Sequence, residues 1–210
     1  MKSKLISITI TLIILATTGA FAGEAIKPSI AKESIPADTP EEVKKQIEYL
    51  YHYKPLVRLE AVRILAMYGE KSKNAIPFLI DMMHDNNLMM VYDNESEVRT
   101  AVGTFVGEEV AATLGAIGAP AVEPLIKELK SDDNTRKKNA VIALGLTGDP
   151  RAVEPLIMMI NNKKVDDPVI STYVRNTLKS ITGVDFGDDR IEWNKWWIKN
   201  NEKFKQSKDK

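Results

Sequence analysis

The sequence predicts an all-α protein in which about four helical hairpins stack side by side into a solenoid. Three observations support this fold class: similar segments recur along the chain, their apolar residues follow helical spacing, and each segment carries a glycine between two apolar runs. Glycine ends a helix readily because it adopts the left-handed conformation, and proline fits the first turn of the helix that follows. Since no segment shows strand-like alternation between turn residues, we expect no strands.

Two central segments show the repeat most clearly. Residues 110–129 read VAATLGAIGAPAVEPLIKEL, and residues 140–160 read AVIALGLTGDPRAVEPLIMMI. An earlier copy covers residues 61–83, and a degenerate fourth copy begins near Val174 and reaches Gly183. One such hairpin cannot bury its apolar face alone, so consecutive hairpins are expected to stack.

These segments resemble HEAT-like repeats of the short bacterial type, the type first named for phycobilin lyase subunits. The resemblance covers roughly residues 55–183 and depends on Leu-Gly-x-x-Gly followed by Ala-Val-x-Pro-Leu-Ile. The end of the chain, ITGVDFG at 181–187 and then Trp193, Trp196 and Trp197, resembles a terminal segment of many exported bacterial HEAT-repeat proteins. We therefore expect a right-handed α-solenoid of about four HEAT-like hairpins with an extra N-terminal helix. The resemblance implies a protein-binding scaffold, and it also permits an accessory subunit of a lyase-type enzyme.

The first 22 residues are typical of a secretory signal peptide. A basic start at Lys2 precedes an apolar run over residues 5–18, and Ala20-Phe21-Ala22 is a small-x-small cleavage site. We expect cleavage after Ala22, a periplasmic or secreted location, and no stable membrane insertion of the mature chain. The alternative is an uncleaved membrane anchor, but the run is shorter than the roughly 20 residues of a spanning helix.

The chain is therefore expected to contain a repeat domain with short segments on either side. The extra helix covers about residues 40 to 53, with Thr39 as its N-cap and Pro40 as its first residue. The expected regions are a signal peptide at 1–22, a flexible leader at 23–39, a HEAT-like repeat domain at 40–204 and a disordered basic tail at 205–210.

Composition excludes several classes of function. The 210 residues carry 29 basic and 29 acidic side chains, and a formal net charge of zero argues against a nucleic-acid partner. With no cysteine and with His52 and His84 as the two histidines, a thiolate zinc site and a cysteine nucleophile are excluded. We expect no catalytic residues, no cofactor and no metal ligands.

The second repeat unit departs from the pattern. Residues 97–117 carry apolar side chains at helical spacing without a proline, which predicts one overlong helix with a weak point at Gly103 or Gly107. The family commonly has a basic residue eleven positions before the glycine that ends the first helix. Arg58 occupies this place in the first unit, whereas Gly107 occupies it in the second.

Some polar and aromatic groups offer alternatives to a plain scaffold. Asp81, His84 and Asp85 place an imidazole beside carboxylates, but no nucleophile or oxyanion-binding motif accompanies them, so we expect a polar cluster at a helix end. The C-terminal carboxylates and tryptophans would permit a metal-binding or glycan-binding module. We expect instead that Asp188 or Asp189 caps the last helix and that the tryptophans seal the solenoid. The residues concerned are Asp185, Asp188, Asp189, Glu192, Trp193, Trp196 and Trp197.

The connection between the first two hairpins is the expected partner-binding site. Residues 88–92 read LMMVY and lie between two polar segments, in a connection longer than is usual between paired helices. The alternatives are that this run folds back over its own solenoid or that it forms an adaptable surface for another protein. We expect Met89, Met90 and Tyr92 to contact an unidentified protein partner. The expected function is thus a non-enzymatic interaction scaffold of the periplasm or cell envelope.

Overall fold

A computed structural model describes residues 27–85, 88–92, 101–161 and 167–206, with the backbone alone along residues 88–92 and 101–104 and at positions 161, 203, 205 and 206. Most of the described chain is helical. The elements are α1 (Glu41–Tyr49), α2 (Pro55–Tyr68), α3 (Ile76–Asp81), β1 (Leu88–Tyr92), β2 (Ala101–Phe105), α4 (Val106–Ile117), α5 (Ala119–Glu128), α6 (Asn134–Thr147), α7 (Val153–Asn161), α8 (Pro168–Thr182) and α9 (Arg190–Gln206). Short 3₁₀ turns at Lys32–Ser34, Gly69–Ala75 and Pro150–Ala152 supplement them.

The helices form two layers. The first helices of the hairpins, α2, α4, α6 and α8, pack side by side in chain order. The second helices, α3, α5, α7 and α9, form the other layer, in which α3 contacts α5 and α7 contacts α9. Helix α1 packs on α2 and precedes the first hairpin. The architecture confirms the prediction of an all-α solenoid with four hairpins and an extra N-terminal helix.

One apolar core runs through all the hairpins. It extends from Val43 in α1 to Trp193 in α9, and both side chains are fully buried. Leu65, Leu114 and Leu144 occupy the same repeat position, four residues before a glycine, and each is fully buried. Burial of such a side chain contributes roughly 2 kcal/mol, so the repeated leucines explain why one hairpin stabilises the next.

Glycines end the first helix of every hairpin, as predicted. Gly69, Gly118, Gly148 and Gly183 all have positive φ, between 54° and 79°. A residue that carries a Cβ rarely adopts a positive φ. Glycine at this position therefore allows the chain to turn sharply into the second helix.

A β-hairpin corrects two expectations: that the chain has no strands, and that residues 97–117 form one overlong helix. Residues 101–105 form β2 rather than part of an overlong helix, and α4 begins only at Val106. β2 pairs antiparallel with β1, from Leu88 opposite Phe105 to Tyr92 opposite Ala101. A short continuous apolar run does not distinguish helix from strand by its spacing, and Gly103 disfavours a helix, so pairing between distant segments decided the structure here.

The segment expected to be a flexible leader makes specific contacts from Pro28 onward. Pro28 is buried, and the Tyr51 hydroxyl donates a hydrogen bond to the Ile30 carbonyl. The prediction that Thr39 caps α1 is wrong. Its hydroxyl accepts a hydrogen bond from the Asn74 amide at 3.0 Å, and α1 has no side-chain cap.

The last helix is capped as predicted. The Asp189 carboxylate accepts hydrogen bonds from the backbone N–H groups of Ile191 and Glu192, both at 3.0 Å, which satisfies two donors of the first turn of α9. α9 extends to Gln206, two residues past the expected end of the repeat domain. Over the residues described, no helix combines the length and the hydropathy needed to cross a bilayer.

Candidate functional site at the root of the inserted hairpin

The β-hairpin is an insertion between the first two helical hairpins. It carries the residues predicted to bind a partner, Met89, Met90 and Tyr92, whose backbone lies in β1 opposite Thr104, Gly103 and Ala101 respectively. Their side chains lie outside the described residues, so the predicted contacts remain a prediction. The structure does describe how the solenoid holds the two ends of this insertion.

A backbone hydrogen bond closes the insertion. The N–H of Gly107, in the first turn of α4, donates to the carbonyl of Asp85 at 2.8 Å. Asp85 follows α3 by four residues, so this bond brings together the two positions where the chain leaves and re-enters the solenoid. The hairpin therefore has a fixed root.

Gly107 is required at this root because the chain approaches it closely. A Cβ at this position would lie 2.7 Å from the Met83 carbonyl oxygen and 2.8 Å from Asn139 Nδ2. Asn139, which is buried on α6, donates a hydrogen bond to the same Met83 carbonyl at 2.6 Å. The third hairpin thus also holds the segment that precedes β1.

A buried ion pair supports the root from the other side. Arg58, in the first turn of α2, lies 3.6 Å from Asp85 between Nη2 and Oδ2, and both side chains are fully buried. Arg58 Nη1 also donates to the carbonyl of His52 at 3.0 Å. Burial lowers the pKa of the Arg58 guanidinium, while the negative charge of Asp85 raises it.

Such a pair is costly to desolvate and costly to break. Its net contribution to stability is small, but removal of one partner leaves a charge in an apolar environment. The main effect of the pair is therefore to fix the position of Asp85 rather than to stabilise the fold. Together, α2, α4 and α6 position the segment that leads into the hairpin.

Comparison with known families shows what the central helices resemble. A family described as HEAT repeats matches residues 106–172, which begin with α4 and end within α8. The helices within residues 106–172 are therefore similar to HEAT repeats. Proteins built from HEAT repeats commonly mediate protein–protein interactions. The search of curated proteins found none that matches the chain.

The structure gives Asp81, His84 and Asp85 different surroundings. The Asp81 carboxylate accepts hydrogen bonds from the backbone and hydroxyl of Ser29, whereas Asp85 faces Arg58. His84 is half-buried at the end of the same segment. Asp81 and Asp85 therefore bond to different neighbouring segments.

The acidic loop before α9 is paired with basic residues of α8. Arg175 donates to both oxygens of Asp188 at 2.6 Å, and Lys179 donates to Asp185 at 2.9 Å. The bond from Lys179, together with the Gly187 N–H, lowers the pKa of Asp185. In the part of the chain that the structure describes, no three acidic, histidine or cysteine side chains are grouped to hold a metal ion.

The tryptophans divide into one that seals the repeats and two that lie nearer the surface. Trp193 is fully buried, packs edge-on against Phe186 and donates its indole N–H to the Gly187 carbonyl at 3.0 Å. Trp196 and Trp197 are half-buried and stack against each other. The sealing role predicted for the tryptophans is thus filled mainly by Trp193.

One difference between the first two repeat units marks the root of the hairpin, although the sequence alone does not explain it. Arg58 and Gly107 occupy equivalent positions in consecutive units, eleven residues before Gly69 and Gly118 respectively. The structure shows why the two positions differ. Arg58 faces the carboxylate of Asp85. A side chain at position 107 would collide with the backbone of Met83 and Asp85.

Proposed function

We propose that this protein is a non-enzymatic interaction scaffold of the periplasm or cell envelope, and that its inserted hairpin binds a protein partner. The support is the fixed root: a buried ion pair, a close glycine contact and a backbone hydrogen bond hold both ends of a segment that departs from the repeat. The HEAT-like match supports the general scaffold function.

A rooted hairpin is well suited to binding. A two-stranded hairpin is only marginally stable in water, and here the solenoid supplies the stability that it lacks. Among the described strands β1 pairs with β2 alone, so each strand has a second edge that another strand can join. An extended segment of a partner can extend the sheet through main-chain hydrogen bonds.

The composition of β1 favours an apolar partner surface. Its sequence is LMMVY, and methionine side chains adapt to irregular surfaces. Gly103 and Ala101 stand opposite Met90 and Tyr92 in the register. A partner that buries these residues would supply the apolar contacts that the small cross-strand neighbours cannot.

Site-specific photo-crosslinking tests the proposal. A photoreactive phenylalanine analogue in place of Tyr92 should crosslink to one defined protein in cells that express the full chain. The same analogue in place of Tyr53, which is 65% exposed and lies outside the hairpin, serves as the matched control. Equal crosslinking from both positions, or from neither, would contradict a binding site on the hairpin.

Charge substitution on β1 provides a second test. Met89→Asp together with Met90→Asp should abolish the Tyr92 crosslink and change the free energy of unfolding by no more than about 0.5 kcal/mol, as expected for a surface position. Urea unfolding measures the stability. A loss of several kcal/mol would show that these methionines belong to the protein's own core.

A further inference from the structure

A groove lies on elements other than those that hold the β-hairpin. It is formed by α5, the turn before α7, α7 itself and α9. Its lining includes the apolar side chains of Ile126, Trp197 and Phe204 and the charged side chains of Glu123, Arg151 and Glu154. The rings of Trp197 and Phe204 lie 6.4 Å apart between centroids. The groove therefore combines an aromatic surface with charged side chains.

The groove carries a net negative charge because its cationic residue, Arg151, is already paired with Asp149. Arg151 donates to the Asp149 carboxylate through Nε at 3.0 Å and through Nη2 at 2.7 Å, and Nη2 also donates to the Ala119 carbonyl. These bonds to Asp149 raise the pKa of Arg151. Asp149 balances the guanidinium, so Glu123 and Glu154 leave a net negative charge.

The two carboxylates are positioned by the repeat. Glu123 and Glu154 occupy the same place in consecutive copies of Ala-Val-Glu-Pro-Leu-Ile, so α5 and α7 each contribute one carboxylate to the groove. Both are exposed, and the Glu123 side chain retains 63% of its accessible surface despite its weak ion pair with Arg151 at 3.6 Å. They are available to a ligand in the groove.

From this arrangement we infer that the groove binds a lysine or arginine side chain on an extended segment of a protein partner. Such side chains have an apolar stem and a cationic head. The stem packs on Ile126 and Trp197, and the head lies between Glu123 and Glu154, where carboxylates and the face of an aromatic ring both attract a cation. The inference does not depend on the binding function proposed for the hairpin.

The indole N–H signals of the three tryptophans report binding directly. The probe is the capped peptide Ac-(Ala-Lys)₄-NH₂, added to ¹⁵N-labelled protein purified from cells that express the full chain. We expect the Trp197 signal to shift and the buried Trp193 signal to stay in place. Trp197→Phe identifies the signal. The anionic peptide Ac-(Ala-Glu)₄-NH₂ and maltopentaose should produce no shift.

Isosteric neutral variants test the carboxylates. Glu123→Gln with Glu154→Gln should weaken binding of the cationic peptide by about tenfold or more. Glu48→Gln with Glu60→Gln makes the same charge change at exposed positions of α1 and α2 and should leave the affinity unchanged.

Several outcomes would overturn the inference. They are an absent Trp197 shift, an equal response to the anionic peptide, equal weakening by both pairs of variants, and a shift with maltopentaose, which would assign the groove to a glycan. The Met89→Asp and Met90→Asp protein separates this site from the hairpin, since it should bind the cationic peptide normally.

Discussion

The buried ion pair at the root of the hairpin predicts a large loss of stability when Arg58 is replaced. Arg58→Met keeps most of the apolar stem but removes the guanidinium. Asp85 then loses a counter-ion 3.6 Å away, and the His52 carbonyl loses a donor at 3.0 Å. Breaking a buried pair by removal of one partner costs about 3–5 kcal/mol, so we expect the free energy of unfolding to fall by about 4 kcal/mol.

The same helix offers a matched control. Arg63 on α2 pairs with Glu109 at 2.8 Å, but its side chain is 41% exposed. Arg63→Met therefore removes an ion pair of better geometry in a more hydrated place and should cost less than about 1 kcal/mol. Urea unfolding followed by circular dichroism measures both variants.

A double-mutant cycle tests whether the two charges act as a pair. Asp85→Asn should also destabilise the protein, but addition of Arg58→Met to it should cost at least about 1 kcal/mol less than Arg58→Met alone. The reasoning fails if Arg58→Met costs no more than Arg63→Met, or if the effects of Arg58→Met and Asp85→Asn add within about 0.5 kcal/mol.

Three further predictions concern the ends of the chain and its pH dependence. Trp193→Ala should lower the free energy of unfolding by about 3–5 kcal/mol, and Trp196→Ala by clearly less, because Trp193 is fully buried and Trp196 is half-buried. Thermal and urea unfolding measure both variants, and equal losses of stability in the two variants would contradict the sealing role of Trp193. Burial and nearby carboxylates raise the pKa of Tyr51 from 10.0 to about 12, so the folded protein holds the hydroxyl proton more tightly than the unfolded chain does. The stability that this shift contributes is complete below pH 10.0 and is lost as the pH rises toward 12. Tyr51→Phe should make the fall in stability over that range shallower, and an unchanged profile would count against the shift. Mass spectrometry of the protein from the cell envelope should find Gly23 at the N-terminus, whereas an intact N-terminal Met would favour an anchor.

Local sequence was sufficient to predict the repeated hairpins. Glycines at positions 69, 118, 148 and 183 end helices because of their own conformational freedom, and the leucines before them are buried because helical spacing places them on one face. The capping of α9 by Asp189 is also local, since its carboxylate bonds to N–H groups two and three residues later. These features depend on residues that are close in the chain, which explains why the fold class could be predicted.

The tertiary structure alone decided the features that carry the proposed functions. Arg58 meets Asp85 because α2 and the segment after α3 pack together, and residues 88–92 become a strand only because residues 101–105 pair with them. The same holds for the groove between α5, α7 and α9, because Trp197 and Glu123 line it together although they are distant in the chain. Local propensity and spacing do not specify contacts between distant segments, because those contacts form only when the apolar faces of successive repeats exclude water together.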